Sequence, residues 1–262
     1  MSYIYNKSKA FTLVELSIVL VIIGLIVGGI LTGQSLIRTA ELSATIRQVS
    51  NFNTAVSAFR IKYNGIPGDL PSSIATSFGL ATRDGTTGKG DGNGLIEGGA
   101  AASTNADGET ALFWNDLWAA NLIEGNTSSY TTAASAVTTS ATATLENFFP
   151  PAKVGKGAFF IVYSINGVNY YELIGLSSVA GGTYTTFNSL APSDAYYIDG
   201  KLDDGMPGSG IVLASPAGSP AGAASSGAGG AAANVCVNTT PNPDVYNNQN
   251  PALLCRVVIR MN

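Results

Sequence analysis

Between Phe11 and Leu31 the sequence FTLVELSIVLVIIGLIVGGIL carries one charged residue, Glu15. About 20 apolar residues, rising about 1.5 Å each, span the ~30 Å hydrocarbon core of a bilayer. Lys7 and Lys9 precede the block. Positive residues stay on the cytoplasmic side, so the N-terminus is expected inside the cell and the rest of the chain outside. A secretory signal fits less well, because its apolar region is about 7–15 residues long and ends at a small-residue cleavage site. Here the apolar run passes directly into a helical pattern. A plain anchor accounts for the length but not for Glu15. A carboxylate near the start of a membrane helix is costly and usually has a partner; hydration at the interface is the other reading open to it.

The helical pattern continues beyond the block. Leu42, Ile46, Val49, Phe52, Val56, Phe59 and Tyr63 recur every three or four residues and form one apolar stripe, with Arg38, Glu41, Arg47 and Arg60 on polar faces. Asn64-Gly65 supplies a left-handed stop and Pro67 follows. A helix from Phe11 to about Tyr63 would be about 80 Å long. It contains no proline, so no proline kink is expected. The stripe is expected to pack on the chain's own C-terminal part, and the membrane half on other helices. Gly24, Gly28, Gly29 and Gly33 let helix backbones approach closely, locally loosen the helix, or have no special role.

Composition removes whole classes of function. The 262 residues include no histidine, which excludes Ser-His-Asp and Cys-His catalysis and imidazole zinc sites. Two cysteines cannot build a four-thiolate site. With 13 Lys+Arg against 17 Asp+Glu, a net charge of -4, the clustered cations that nucleic acid requires are missing. Gly-rich GKGDGNG does not match a phosphate-binding Walker motif.

KSKA followed by FTLVEL resembles the leader and cleavage site of type IV prepilins and type II secretion pseudopilins. The resemblance is strong over residues 7–31 and weaker beyond. It implies cleavage between Ala10 and Phe11 by a dedicated prepilin peptidase, N-methylation of Phe11, and pairing of Glu15 with the N-terminal ammonium of a neighbouring subunit during assembly. An amine and a carboxylate are each costly in low dielectric and much less so together. Ala10 stands where the family usually has Gly. The implied order is a leader over 1–10, a transmembrane and assembly helix over 11–33, an amphipathic stalk over 34–64 and a head over 65–262. The implied partners are other pilin or pseudopilin subunits, the peptidase, an assembly platform protein with its ATPase, and the inner membrane. The implied location is the inner membrane with a periplasmic head, then a periplasmic or surface filament.

In the head, Asp107 to Ile123 reads as a short amphipathic helix with Leu112, Phe113, Leu117 and Leu122 on its apolar side. Trp114 and Trp118, four apart, form either core or an exposed stacking platform. Ala158 to Leu176 reads as a hairpin about Asn166-Gly167, a type I′ signal. Gly210 to Ala214 and Arg256 to Arg260 read as later strands. The expected fold class is α+β: one long N-terminal helix packed on a small antiparallel sheet, with long loops. Tracts 126–147 and 214–233 are of low complexity. The second, made of Ala, Gly, Ser and Pro alone, cannot offset its ordering entropy and is expected to be a mobile loop. Asn126 and Asn238 begin N-glycan acceptor patterns.

Cys236 and Cys255 are the sole pair, and outside the membrane they are expected to form a disulfide. Its placement resembles the C-terminal disulfide loop of many type IV pilins. In Arg83 to Glu97, the oxygen ligands Asp84, Asp91, Asn93 and Glu97 lie on a Gly-rich loop that could wrap calcium, with the Leu95 carbonyl added. The spacing is not that of an EF-hand, and a solvated turn is the competing reading. Asp199, Asp203 and Asp204 form a second acidic cluster, a structural cap or an ion site, with Lys201 among them favouring the cap. The expected function is that of a non-enzymatic filament subunit. The alternative is a membrane-anchored binding or adhesin domain that does not polymerise.

Overall fold

A computed structural model describes residues 12–99, 105–125, 138, 142–215, 236–238 and 244–262. The chain divides into two compact units, Met1–Glu41 and Leu42–Asn262. Helix α1, Leu13–Tyr63, carries residues of both. Its end follows from local chemistry: Asn64 takes φ 56°, a left-handed position open to Asn, and Pro67 follows. Gly65, the other half of the expected stop, does not adopt a positive φ. In the second unit Leu42, Val49, Phe52, Val56, Phe59 and Tyr63 are buried, and Ile46 packs partly buried against the same core.

The second unit continues with α2 (Ser72–Ser77), α3 (Gly108–Ala119), α4 (Thr142–Leu145), β1 (Ala158–Ile165), β2 (Val168–Ala180), β3 (Thr183–Phe187), α5 (Pro192–Leu202), β4 (Val212–Ser215), β5 (Val237–Asn238), β6 (Val245–Tyr246) and β7 (Arg256–Arg260). The sheet is antiparallel, in the order β1-β2-β7-β4, with β3 on the far half of the long β2. The architecture is the α+β arrangement expected. Asn166 and Gly167, at φ 52° and 76°, make the β1–β2 turn. The strand expected over Gly210 to Ala214 begins two residues later, at Val212. β3, α2 and α5 were not anticipated; β3 alternates exposed and half-buried residues, and α2 is only six residues long.

An aromatic cluster fills the core. The Phe52 ring of α1 lies 4.8 Å from Trp114 and 5.2 Å from Phe160, and Trp114 lies 6.1 Å from Tyr171. Both Trp114 and Trp118 are core residues. Helix α3 departs from the expected one-sided pattern. Glu109, Thr110, Asn115 and Asp116 are buried as well as its apolar residues. Polar groups can be buried there because they are paired. Asp116 meets Arg83 through Oδ1–Nη2 at 2.9 Å and Oδ2–Nη1 at 3.2 Å, and its Oδ2 also accepts the Gly68 N–H at 2.7 Å. Arg83 further donates to the Gly68 and Ala81 carbonyls. One buried ion pair thus ties the turn after α1, the loop before residue 84 and α3 together. A second buried pair, Arg256–Glu172 at 2.9 Å, crosses from β7 to β2. Burial pushes the Glu172 carboxyl above its usual range, against the opposing pull of Arg256 and a Tyr163 hydrogen bond.

Candidate functional site

Ala10 and Phe11 lie outside the described residues, and Glu15 lies just inside them. Thr12 and Glu15 form a capping box at the start of α1: the Glu15 N–H donates to Thr12 Oγ1 at 3.2 Å, and the Thr12 N–H donates back to Glu15 Oε2 at 2.8 Å. The Thr12 hydroxyl also donates to the same carboxylate oxygen, at 2.9 Å. TLVE therefore begins a helix and holds one acidic side chain at its first turn. Sequence reasoning singled out Glu15 but missed this pattern, which the Thr-x-x-Glu spacing carries.

From Leu13 onward α1 is long and apolar enough to cross a membrane, and none of its apolar window is buried among the described residues. Hydroxyls in its apolar half bond back to its own carbonyls. Ser17 donates to the Val14 carbonyl at 2.9 Å and Thr32 to the Gly28 carbonyl at 3.1 Å, as a lipid environment demands. A Cβ added at Gly24, Gly28, Gly29 or Gly33 would meet nothing within 4 Å. No packing among the described residues requires those glycines.

The acidic loop is assembled differently from its sequence spacing. Asp84 stands apart: its carboxylate accepts the Thr86 hydroxyl and N–H and pairs with Lys89 at 3.3 Å, which holds it below the usual carboxylate range. Asn93 joins Asp91 and Glu97, donating to them at 3.1 and 3.2 Å. The tight cluster is Asp69, Asp91 and Glu109, whose carboxylate oxygens lie within 4.8 Å of one another. Asp69 and Glu109 come from segments distant in sequence, and no local pattern marks them. Asp69 accepts the Gly92 and Gly94 N–H groups at 2.7 and 2.6 Å; Glu109 accepts those of Gly90 and Glu97 at 2.7 and 3.0 Å. The loop must turn tightly to present these donors. Gly90 sits at φ 82°, where an added Cβ would also press on the Leu70 carbonyl at 2.5 Å. Burial raises Asp69 to about 6 and Glu109 to about 8, with the neighbouring acidic charges adding to the shift against the backbone donors.

The second cluster, Asp199, Asp203 and Asp204, also gathers within 4.8 Å. Each member has donors. Asp199 accepts the Tyr246 hydroxyl at 2.7 Å and the Gly205 N–H at 3.1 Å, Asp203 accepts the N–H groups of Ile211 and Val212, and Asp204 accepts those of Met206 and the Ser209 hydroxyl. These bonds fasten the end of α5 to β4 and β6, as a cap does. Lys201 lies over the Tyr197 ring, 5.8 Å from its centroid. Cys236 and Cys255 are disulfide-bonded, joining the residue before β5 to the residue before β7. Of the low-complexity tract 214–233, Ala214 and Ser215 end β4 while 216–233 lies outside the described residues, as do the Thr residues that complete the Asn238 pattern, and Asn126.

Comparison with known proteins gives one match, to the prokaryotic N-terminal methylation motif over residues 5–31. No curated protein and no solved structure matches. The match begins before the apolar block and ends with it, taking in Ala10, Phe11, Thr12 and Glu15. A motif of this kind indicates a structural protein that joins like subunits after peptidase processing. At its N-terminus this chain thus carries the methylation motif that is the hallmark of type IV pilins and pseudopilins.

Proposed function

We propose that the chain is the precursor of a filament subunit (a pilin, minor pilin or pseudopilin) of a type IV pilus or a type II secretion system. Cleavage falls between Ala10 and Phe11, and Phe11 becomes the methylated N-terminus. The motif over residues 5–31 carries this reading, because it runs straight into the exposed apolar face of α1. In the assembled filament, Glu15 faces the N-terminal ammonium of a neighbouring subunit. Membrane helices bundle in the interior, and the heads form the outer wall. The platform protein and its ATPase supply the work. The acidic loop at Asp69, Asp91, Asn93, Glu97 and Glu109 is where calcium would bind, stiffening the head rather than performing chemistry; Asp84 is not among its ligands.

The test is the intact mass and N-terminal sequence of the protein extracted from membranes of its native cell. The expected chain begins at N-methylated Phe11 and lacks Met1 to Ala10. Retention of those residues in cells with an active prepilin peptidase would refute the reading. Recovery from sheared surface filaments would assign a pilus; retention in the periplasm would assign a pseudopilus.

A further inference from the structure

A cavity of about 200 Å³ opens on the head. Its floor is apolar, made by Val56 of α1, Ile66, Ile96 and Phe113 of α3, all buried. Two arginines line it as well: Arg60, one turn beyond Val56 on α1, and Arg260, at the end of β7. Both arginines are exposed, and neither side chain has an ion-pair or hydrogen-bond partner among the described residues. The buried arginines Arg83 and Arg256, by contrast, each face a carboxylate.

The size and lining select an occupant. Small-molecule pockets run to about 300–1,000 Å³, so this one suits a single side chain. An acidic side chain offers methylenes to the floor and a carboxylate to the guanidinium forks, a geometry in which Arg binds best. The chain carries a net charge of -4, and Glu124 and Glu146 are exposed with no side-chain partner among the described residues. Among the described residues neither pairs with Arg60 or Arg260 of its own chain, which leaves both available to a second copy. We propose that the Arg60–Arg260 cavity receives Glu124 or Glu146 of a second copy of this chain, a head-to-head contact. The proposal rests on the filament reading above.

Full-length R60K and R260K variants keep the charge and add an amine. Carbodiimide treatment activates a nearby carboxylate; the amine displaces the urea, leaving an amide with net loss of water. An equal mixture of nitrogen-15-labelled and unlabelled protein separates links between copies from links within one. Mixed-isotope links from position 60 or 260 to Glu124 or Glu146, lost in E124Q/E146Q, are expected. R60Q/R260Q should weaken self-association about tenfold and reduce its salt dependence, with the near-ultraviolet spectrum unchanged. Links confined to one chain, or wild-type association by R60Q/R260Q, would overturn the proposal and leave the filament reading standing. So would saturable binding of inorganic phosphate that R60Q/R260Q abolishes without affecting association, which would assign the cavity to a free anion. A processed chain that never self-associates would overturn both.

Discussion

Replacing Asp116 by Asn changes almost no volume, so it isolates the electrostatics of the Arg83 clamp. Both side chains are fully buried. In the wild type Asp116 faces Nη1 and Nη2 of Arg83 and the Gly68 N–H. D116N keeps an acceptor for Gly68 and leaves the guanidinium without its counter-charge. Breaking a buried pair from one side costs about 3–5 kcal/mol. For a unit of this size, each kcal/mol shifts Tm by about 2–4 °C, so the fall should be roughly 6–20 °C. Near-ultraviolet circular dichroism of the full chain in detergent reads it directly, because Trp114 and Trp118 flank Asp116 on α3. R83M should be similarly destabilised, since it strands the carboxylate. The double variant R83M/D116N removes both charges and should recover most of the loss. A D116N shift below about 2 °C, or a double variant worse than both singles, would refute the clamp as a buried, paired charge.

Three further outcomes follow from the geometry. E15Q retains an acceptor for the Thr12 N–H, whereas E15A does not, so equal loss of sheared filament by both at normal membrane levels is expected if the charge is what assembly uses; full assembly by E15Q would assign Glu15 to the helix cap alone. The native head holds protons on Asp69 and Glu109 that the unfolded chain, with usual values of 3.8 and 4.5, releases. Its stability should therefore fall as pH rises from about 4 through 8, and millimolar calcium should flatten that slope in a Tm series; a slope of opposite sign would refute the shared burial of the cluster. Reducing the Cys236–Cys255 bond reopens a loop with a sequence separation of 19, which should cost about 3 kcal/mol in denaturant titration under reducing against oxidising conditions.

What the sequence revealed followed from local chemistry. The 3.6-residue stripe from Leu42 to Tyr63, the stop at Asn64 and the hairpin about Asn166-Gly167 each depend on neighbours within a few residues, so they could be read in line. Thr12 and Glu15 were equally local, and the capping spacing was there to be read. What escaped depended on distance. Asp69 and Glu109 meet Asp91 only after the chain has folded, and Arg83 finds Asp116 across 33 residues. Binary patterning also mistook α3 for a one-sided helix. It scores Glu109 and Asp116 as solvent-facing, whereas their partners make burial tolerable. The same limit applies to the acidic loop: Asp84 lies in the same run as Asp91 but is held by Thr86 and Lys89, apart from the Asp69–Asp91–Glu109 cluster.

The position of β7 bears on the timing of folding. It is the last strand in chain order, yet it lies between β2 and β4. A chain emerging N-terminus first can close the β1–β2 hairpin early, but Val212–Ser215 then has no sheet partner until residues 256–260 appear. Until Arg256 arrives, Glu172 has no cation to offset its burial, so a truncated head cannot pack its sheet without stranding a carboxylate. Cys255, one residue ahead of that strand, reaches Cys236 at the same stage. Export, sheet closure and covalent locking therefore converge on the same few residues, and a head that has not received them is marked as unfinished by an unpaired charge and an open thiol at Cys236.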